Sequence, residues 1–162
     1  MKYINKKLKI ENINVQNIAN KYGTPSYCYS YNQLKNNINS FKKSFSSFSP
    51  LICFAIKSNT NFNLIKEIKK FGLGADVVSV GELMMALKAG INPKKIVFSG
   101  VGKTSNEISY AIDKKILLIN AESKSEINEI DKLARIKKKK VQIGIRLNPN
   151  TDAKTLSQIS TG

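Results

Sequence analysis

Between Leu51 and Leu147 the chain changes hydrophobic period again and again, from short apolar runs to helical stripes and back. Apolar runs of strand length fall near 51–57, 74–80, 95–99, 115–119 and 141–147. Helical patterns fill the gaps near 61–71, 81–89, 104–112 and 123–135, with Leu64, Ile65, Ile68 and Phe71 forming the first stripe. Gly72, Gly74, Gly90 and Pro93 punctuate the returns. Five strand-helix units, the last incomplete, imply a parallel sheet with right-handed crossovers. Upstream, Asn14 is a natural N-cap for a short helix from Val15 to Tyr22, closed by Gly23. Ser26 to Tyr29 reads as a strand, and a helix is expected from about Tyr31 to Phe45. The expected division is an N-terminal segment over 1–30 leading into a barrel domain over 31–162.

The polar residues at the strand ends favour a barrel over an open sheet. Lys57, Ser79, Ser99, Asn120 and Asn148 lie at or just past the C-terminal ends of successive strands. A barrel gathers catalytic groups from several strand ends into a single mouth. Lys57 has the greatest chemical reach of these. Strand alternation would set Leu51, Cys53, Ala55 and Lys57 on one face, with Ile52, Phe54 and Ile56 on the other. A lysine ending a face of small residues can be desolvated into a nucleophile toward a carbonyl cofactor. The alternative is a strand that simply exits into solvent on a lysine.

Composition excludes several classes. The net charge of +16 invites a polyanion partner, but of 27 basic residues only Arg135 and Arg146 are arginine. Surfaces that read bases or clamp phosphates lean on arginine forks. The lysines are spread along the chain with asparagine and isoleucine, and Lys137–Lys140 reads as a loop, so no specific nucleic-acid partner is expected. There is no histidine, and Cys28 and Cys53 lie far apart, so neither a metal site nor a disulfide framework is indicated. Without a signal-like start or a membrane-length apolar run, the expected setting is cytoplasmic.

Two glycine motifs could be mistaken for phosphate loops. Gly102-Lys103-Thr104 opens a helix as the tail of a P-loop does, but the required upstream glycine is replaced by Val97. Gly72-Leu73-Gly74 precedes a strand and is no dinucleotide fingerprint.

Five blocks in order carry a family likeness: Ala55-Ile56-Lys57-Ser58-Asn59; Gly74 to Leu83; Ile96 to Thr104; Arg146-Leu147-Asn148-Pro149; and Ile159-Ser160-Thr161-Gly162. Together they resemble the bacterial diaminopimelate decarboxylases, from about Ile18 to the last residue. Tyr22-Gly23-Thr24-Pro25 is similar to that family's entry into its barrel. The resemblance implies an α/β fold: part of a (β/α)8 TIM barrel of the alanine-racemase-like class, without the family's C-terminal β domain. It implies pyridoxal 5'-phosphate as cofactor, Lys57 as the Schiff-base lysine, and Asp76, Glu82 and Arg146 around the cofactor or the lysine. It further implies decarboxylation of the amino acid meso-2,6-diaminopimelate to L-lysine, and a homodimer for the full-length family. The alternatives are an ornithine- or arginine-type decarboxylase of the same fold, or a non-catalytic remnant that binds the cofactor or polyanions.

There are departures from the family. Leu156 stands where it usually has a histidine, and its ring-stacking histidine, glycine-rich phosphate loop, pyridine-pairing carboxylate and cross-subunit cysteine have no counterpart in these 162 residues. A fragment, split gene product or decayed copy, inactive alone, is therefore expected.

Overall fold

The computed structural model describes residues 1–149, 151 and 154. The expected motif at Ile159–Gly162 and the departure at Leu156 lie outside them. The chain divides into two compact units, Met1–Pro50 and Leu51–Gly162.

The first unit opens on a three-stranded antiparallel sheet that the apolar pattern did not reveal. Its strands are β1 (Lys2–Ile4), β2 (Lys7–Ile10) and β3 (Ile13–Asn14). Asn5 and Lys6 both take positive φ, 47° and 60°, as a two-residue hairpin turn requires. The usual Asn-Gly signal is missing because a lysine fills the second position. Helix α1 (Val15–Tyr22) starts as expected, with Asn14 accepting the Gln16 N–H at 3.0 Å, and ends where the Gly23 N–H meets the Ala19 carbonyl at 2.8 Å. Gly23 sits at φ 81°, which favours glycine at that position. Helix α2 (Tyr31–Ser44) is capped by Ser30. Glu11 joins the sheet to this helix start, its Oε1 accepting from Ser30 Oγ at 2.7 Å and the Asn32 N–H at 2.8 Å. These bonds, the Asn32 amide first, hold the Glu11 carboxyl below its usual range.

Ser26–Tyr29 is not a strand. It has no place in the β1-β2-β3 ladder, and Tyr27 is 93% exposed. Aromatic β propensity without a partner for the backbone groups makes no strand.

The second unit is a five-stranded parallel sheet in chain order: β4 (Cys53–Ala55), β5 (Gly74–Val77), β6 (Ile96–Phe98), β7 (Leu118–Ala121) and β8 (Ile143–Ile145). Between them run α3 (Phe62–Lys70), α4 (Val80–Lys88), α5 (Ser105–Lys114) and α6 (Lys124–Ile136). The expected units are all present, with shorter strands. The fourth strand also starts later than expected, because Lys115 turns left-handed (φ 53°) as the α5 cap.

The register gives the two sheet faces opposite characters. Phe54, Ala75, Val77, Ile96, Phe98, Ile119 and Ala121 share one face, and most are fully buried. They form one core with Ile65 of α3, Leu83 and Ala86 of α4, Ile108 and Ala111 of α5, and Ile130 of α6. A residue such as Phe98, wholly buried here, contributes about 1.5–3 kcal/mol by leaving water. The other face carries Cys53, Ala55, Gly74, Asp76, Val97, Leu118, Asn120 and Gly144. Helices packed on one face of a parallel sheet, with the other face left to line an interior, are the pattern of a barrel wall. A doubly wound sheet would cover both faces.

The strand that leads to Lys57 is shorter than expected. The strand stops at Ala55, and Ile56–Ser58 form a single 3-10 turn. Ile56 is fully buried in the core against which Phe54 also packs, the side expected for it, and Lys57 is exposed.

Lys137–Lys140 is a loop, and two of its lysines are spoken for. Lys137 Nζ and Lys139 Nζ reach the Asp113 carboxylate at 2.6 and 2.7 Å. Hydrogen bonds from Lys137 and then Lys139 hold the Asp113 carboxyl down to about 2 from its ordinary 3.8. A depressed carboxylate stabilises the fold above its unfolded value and loses that effect as pH falls through the folded one. Asp113→Asn should therefore melt at a lower temperature than wild type near neutrality. The difference should close as pH falls from 3.8 toward 2 and shrink in about 1 M salt. Melting curves of the two proteins across that range check it.

Candidate functional site

The C-terminal ends of β5, β6 and β7 carry a row of hydrogen-bonded side chains. Asn120 Nδ2 donates to Ser99 Oγ at 3.1 Å, and Ser99 Oγ donates to Asp76 Oδ1 at 2.7 Å. Asp76 is level with Ala55 of β4, two residues before Lys57. Cys53 lies on the same face of β4. Burial first, and the Asp76 charge second, push its thiol up.

The loops beyond the strands are stitched by carboxylates. Three Ser/Thr-x-x-Glu segments begin α4, α5 and α6, with Ser79, Thr104 and Ser123 as caps. Glu82 Oε2 accepts the Val78 N–H at 2.9 Å, and Glu126 Oε2 accepts the Glu122 N–H at 2.8 Å. Glu107 takes the Thr104 N–H and, across the loops, the Val80 N–H, both at 3.0 Å. These amide bonds hold its carboxyl below the usual range. Glu122 accepts the Gly100 N–H at 3.2 Å and lies 3.3 Å from Arg146 Nη1.

Lys103 is not a P-loop lysine. Its side chain is wholly buried, with Nζ 2.7 Å from Glu126 Oε1, bonded to the Gly100 carbonyl and 5.7 Å from the Phe98 ring centre. The Thr104 and Gly100 amides that a phosphate would need are already filled by Glu107 and Glu122.

The four sequence-derived residues occupy one end of the sheet but different positions along it. Lys57 follows β4, Asp76 is in β5, Glu82 is in the first turn of α4, and Arg146 follows β8. From β4 to β8 is four strand spacings, about 19 Å along the sheet. Asp76 is tied to Ser99, Glu82 to the Val78 amide, and Arg146 to Glu122. The pattern reading did not single out Glu122 or the Lys103–Glu126 pair. The thrice-repeated Ser/Thr-x-x-Glu was the available signal for the latter.

One arc of a barrel wall, with an amine just past its first strand and a polar row beside it, defines a barrel protein whose strand ends carry the chemistry. Comparison with known proteins gives that class a family. Residues 31–162 match the pyridoxal-binding domain of the pyridoxal-dependent decarboxylases, and the chain belongs to that family. It is 43% identical over all 162 residues to the diaminopimelate decarboxylase of Aquifex aeolicus. It superposes on 38% of the Helicobacter pylori diaminopimelate decarboxylase solved with L-lysine, using 92% of its own length, with a TM-score of 0.87 and 42% identity. For the diaminopimelate decarboxylase of M. jannaschi the TM-score is 0.89 at 34% identity, over 99% of this chain and 38% of that one. The chain thus spans under two-fifths of the length of these relatives.

The donor set fits a pyridoxal-type cofactor. An exposed primary amine just past a strand end can bind an aldehyde, and the neighbouring strand ends carry the hydrogen-bonded Asp76 and Ser99. Among the described residues, no helix is long and apolar enough to cross a membrane.

Breaking the Lys103–Glu126 pair tests how far the loops depend on it. Lys103→Met strands a buried carboxylate and should cost about 3–5 kcal/mol in urea unfolding. Adding Glu126→Gln should recover much of that loss, since the second variant removes the unpaired charge.

Proposed function

We propose that this chain supplies the cofactor lysine and one side of the cofactor pocket of a diaminopimelate decarboxylase. The reaction would convert meso-2,6-diaminopimelate to L-lysine. The position of Lys57 carries the reading: an exposed amine on a 3-10 turn, two residues beyond the β4 residue that pairs with Asp76. The family match, and relatives near 43% identity that bear the diaminopimelate name, favour it over the ornithine- and arginine-type alternatives.

Pyridoxal phosphate, when bound, supplies the electron sink that decarboxylation requires. Lys57 Nζ would hold the cofactor through its aldehyde group and, when not so engaged, would carry a proton at that amine. Asp76 would present the oxygen that Ser99 leaves unused. Arg146, held by Glu122, and Glu82, held against the Val78 amide, would shape the wall on either side. Residues 1–30 would lead into the barrel portion over 31–162, where the family match begins, although the compact units divide at Pro50. A homodimer and a cytoplasmic setting belong to the same proposal, by likeness to the relatives.

Borohydride reduction in the presence of pyridoxal phosphate, followed by peptide mapping, tests the assignment. The label should fall on Lys57 and vanish in Lys57→Ala. Label spread over the other lysines would overturn it. The 162 residues alone should release no carbon dioxide from labelled meso-diaminopimelate. A barrel's phosphate site is commonly built by the loops after its seventh and eighth strands, and groups that act as a unit lose most of the rate when some are missing.

A further inference from the structure

We infer that Ser99, Asn120 and Gly144 are positioning residues for Asp76, forming a relay across four adjacent strands that fixes its carboxylate beside the strand carrying Lys57. The inference rests on the reading of Lys57 as the cofactor lysine. The hydrogen bonds run in one direction. Asn120 contributes its amide Nδ2, which can only donate, so the Ser99 hydroxyl must accept there. Its single proton is then committed to Asp76 Oδ1 at 2.7 Å. Asp76 is held as an acceptor through Oδ1, which leaves Oδ2 for a partner in the mouth.

The far end of the relay explains a glycine inside a strand, where glycine ordinarily weakens the pairing. Gly144 of β8 is the register partner of Asn120. A Cβ on Gly144 would lie 2.3 Å from Asn120 Oδ1, closer than any real contact allows. The absence of a side chain in β8 is therefore what lets Asn120 lie flat on the inner face and reach Ser99. Asp76, Ser99, Asn120 and Gly144 come from four successive strands, so no single segment of sequence shows the arrangement.

The test uses the 162-residue chain with pyridoxal phosphate and reads two signals: borohydride-fixed label at Lys57 and the absorbance of the bound cofactor. Melting temperature is recorded alongside. Ser99→Ala should lower the label at Lys57 about tenfold, the scale of one lost hydrogen bond to a charged group. Ser99→Thr keeps the hydroxyl and should restore the label to near the wild-type level. Gly144→Ala removes no polar group, yet should reproduce the loss and shift the cofactor absorbance in the same direction as Ser99→Ala. In an Asn120→Ala background, Gly144→Ala should add nothing further, because the side chain it displaces is gone. Equal label at Lys57 in wild type, Ser99→Ala and Gly144→Ala would overturn the relay and leave the Lys57 reading intact. Additive losses for Asn120→Ala and Gly144→Ala would also overturn it. Wild-type label away from Lys57 would instead defeat the underlying reading.

Discussion

One face of the five-stranded sheet is packed against helices, and the other mixes small and polar residues with Val97 and Leu118. The helix face buries Ala75, Val77, Ile96, Phe98, Ile119 and Ala121 against α3 to α6. The inner face has Ala55, Gly74, Asp76, Asn120 and Gly144 in the matching registers. Strand alternation makes the two choices inseparable, since every bulky residue aimed at the helices places its neighbours on the inner side. Stability thus comes from one side of each strand, and the other side is free to carry groups chosen for chemistry. Gly74 shows how tight the inner side is at the opposite strand end. A Cβ there would lie 2.1 Å from the Lys95 carbonyl oxygen and 2.9 Å from Cys53 Sγ.

The same division of labour governs the loops. Glu82, Glu107, Glu122 and Glu126 each take a backbone N–H that the end of a strand or the start of a helix leaves unsatisfied. These carboxylates rest on amides and on Lys103 or Arg146, so the loop frame is organised without drawing on Lys57. Lysine is abundant enough here that residue type alone identifies nothing. Lys103 is consumed inside an ion pair, and Lys137 and Lys139 hold Asp113. Lys57 differs because it stands exposed just past a strand end, two residues beyond the register partner of Asp76.

Much of this could be read in the sequence, for reasons that also explain what could not. The parallel units were visible because helix and strand periods alternate over a long stretch, and the cap at Asn14 obeyed local rules. The β1–β3 hairpins were missed because Asn5-Lys6 reaches positive φ without glycine. Ser26–Tyr29 misled because propensity does not say whether a partner strand exists. Lys57 drew notice by its place past an apolar run, but the end of the strand at Ala55 and the 3-10 turn at Ile56–Ser58 left no mark in the apolar pattern. Ser99 and Asn120 stood out singly as polar strand ends. Their hydrogen bond joins positions 21 residues apart, and no local pattern encodes that.

The barrel wall also accounts for why the polar row runs across the strands and not along one. Along a strand, same-face residues are about 7 Å apart, too far for short side chains to meet. Across parallel strands the spacing is about 4.8 Å, and a serine between an aspartate and an asparagine bridges it. A carboxylate oriented in this way depends on the relative placement of neighbouring strands. That placement is set by the helix-side core, since Phe98 and Ile119 share strands with Ser99's loop and Asn120. Packing on the covered face therefore determines polar geometry on the open one, and a substitution in the core can reach Asp76 without touching it.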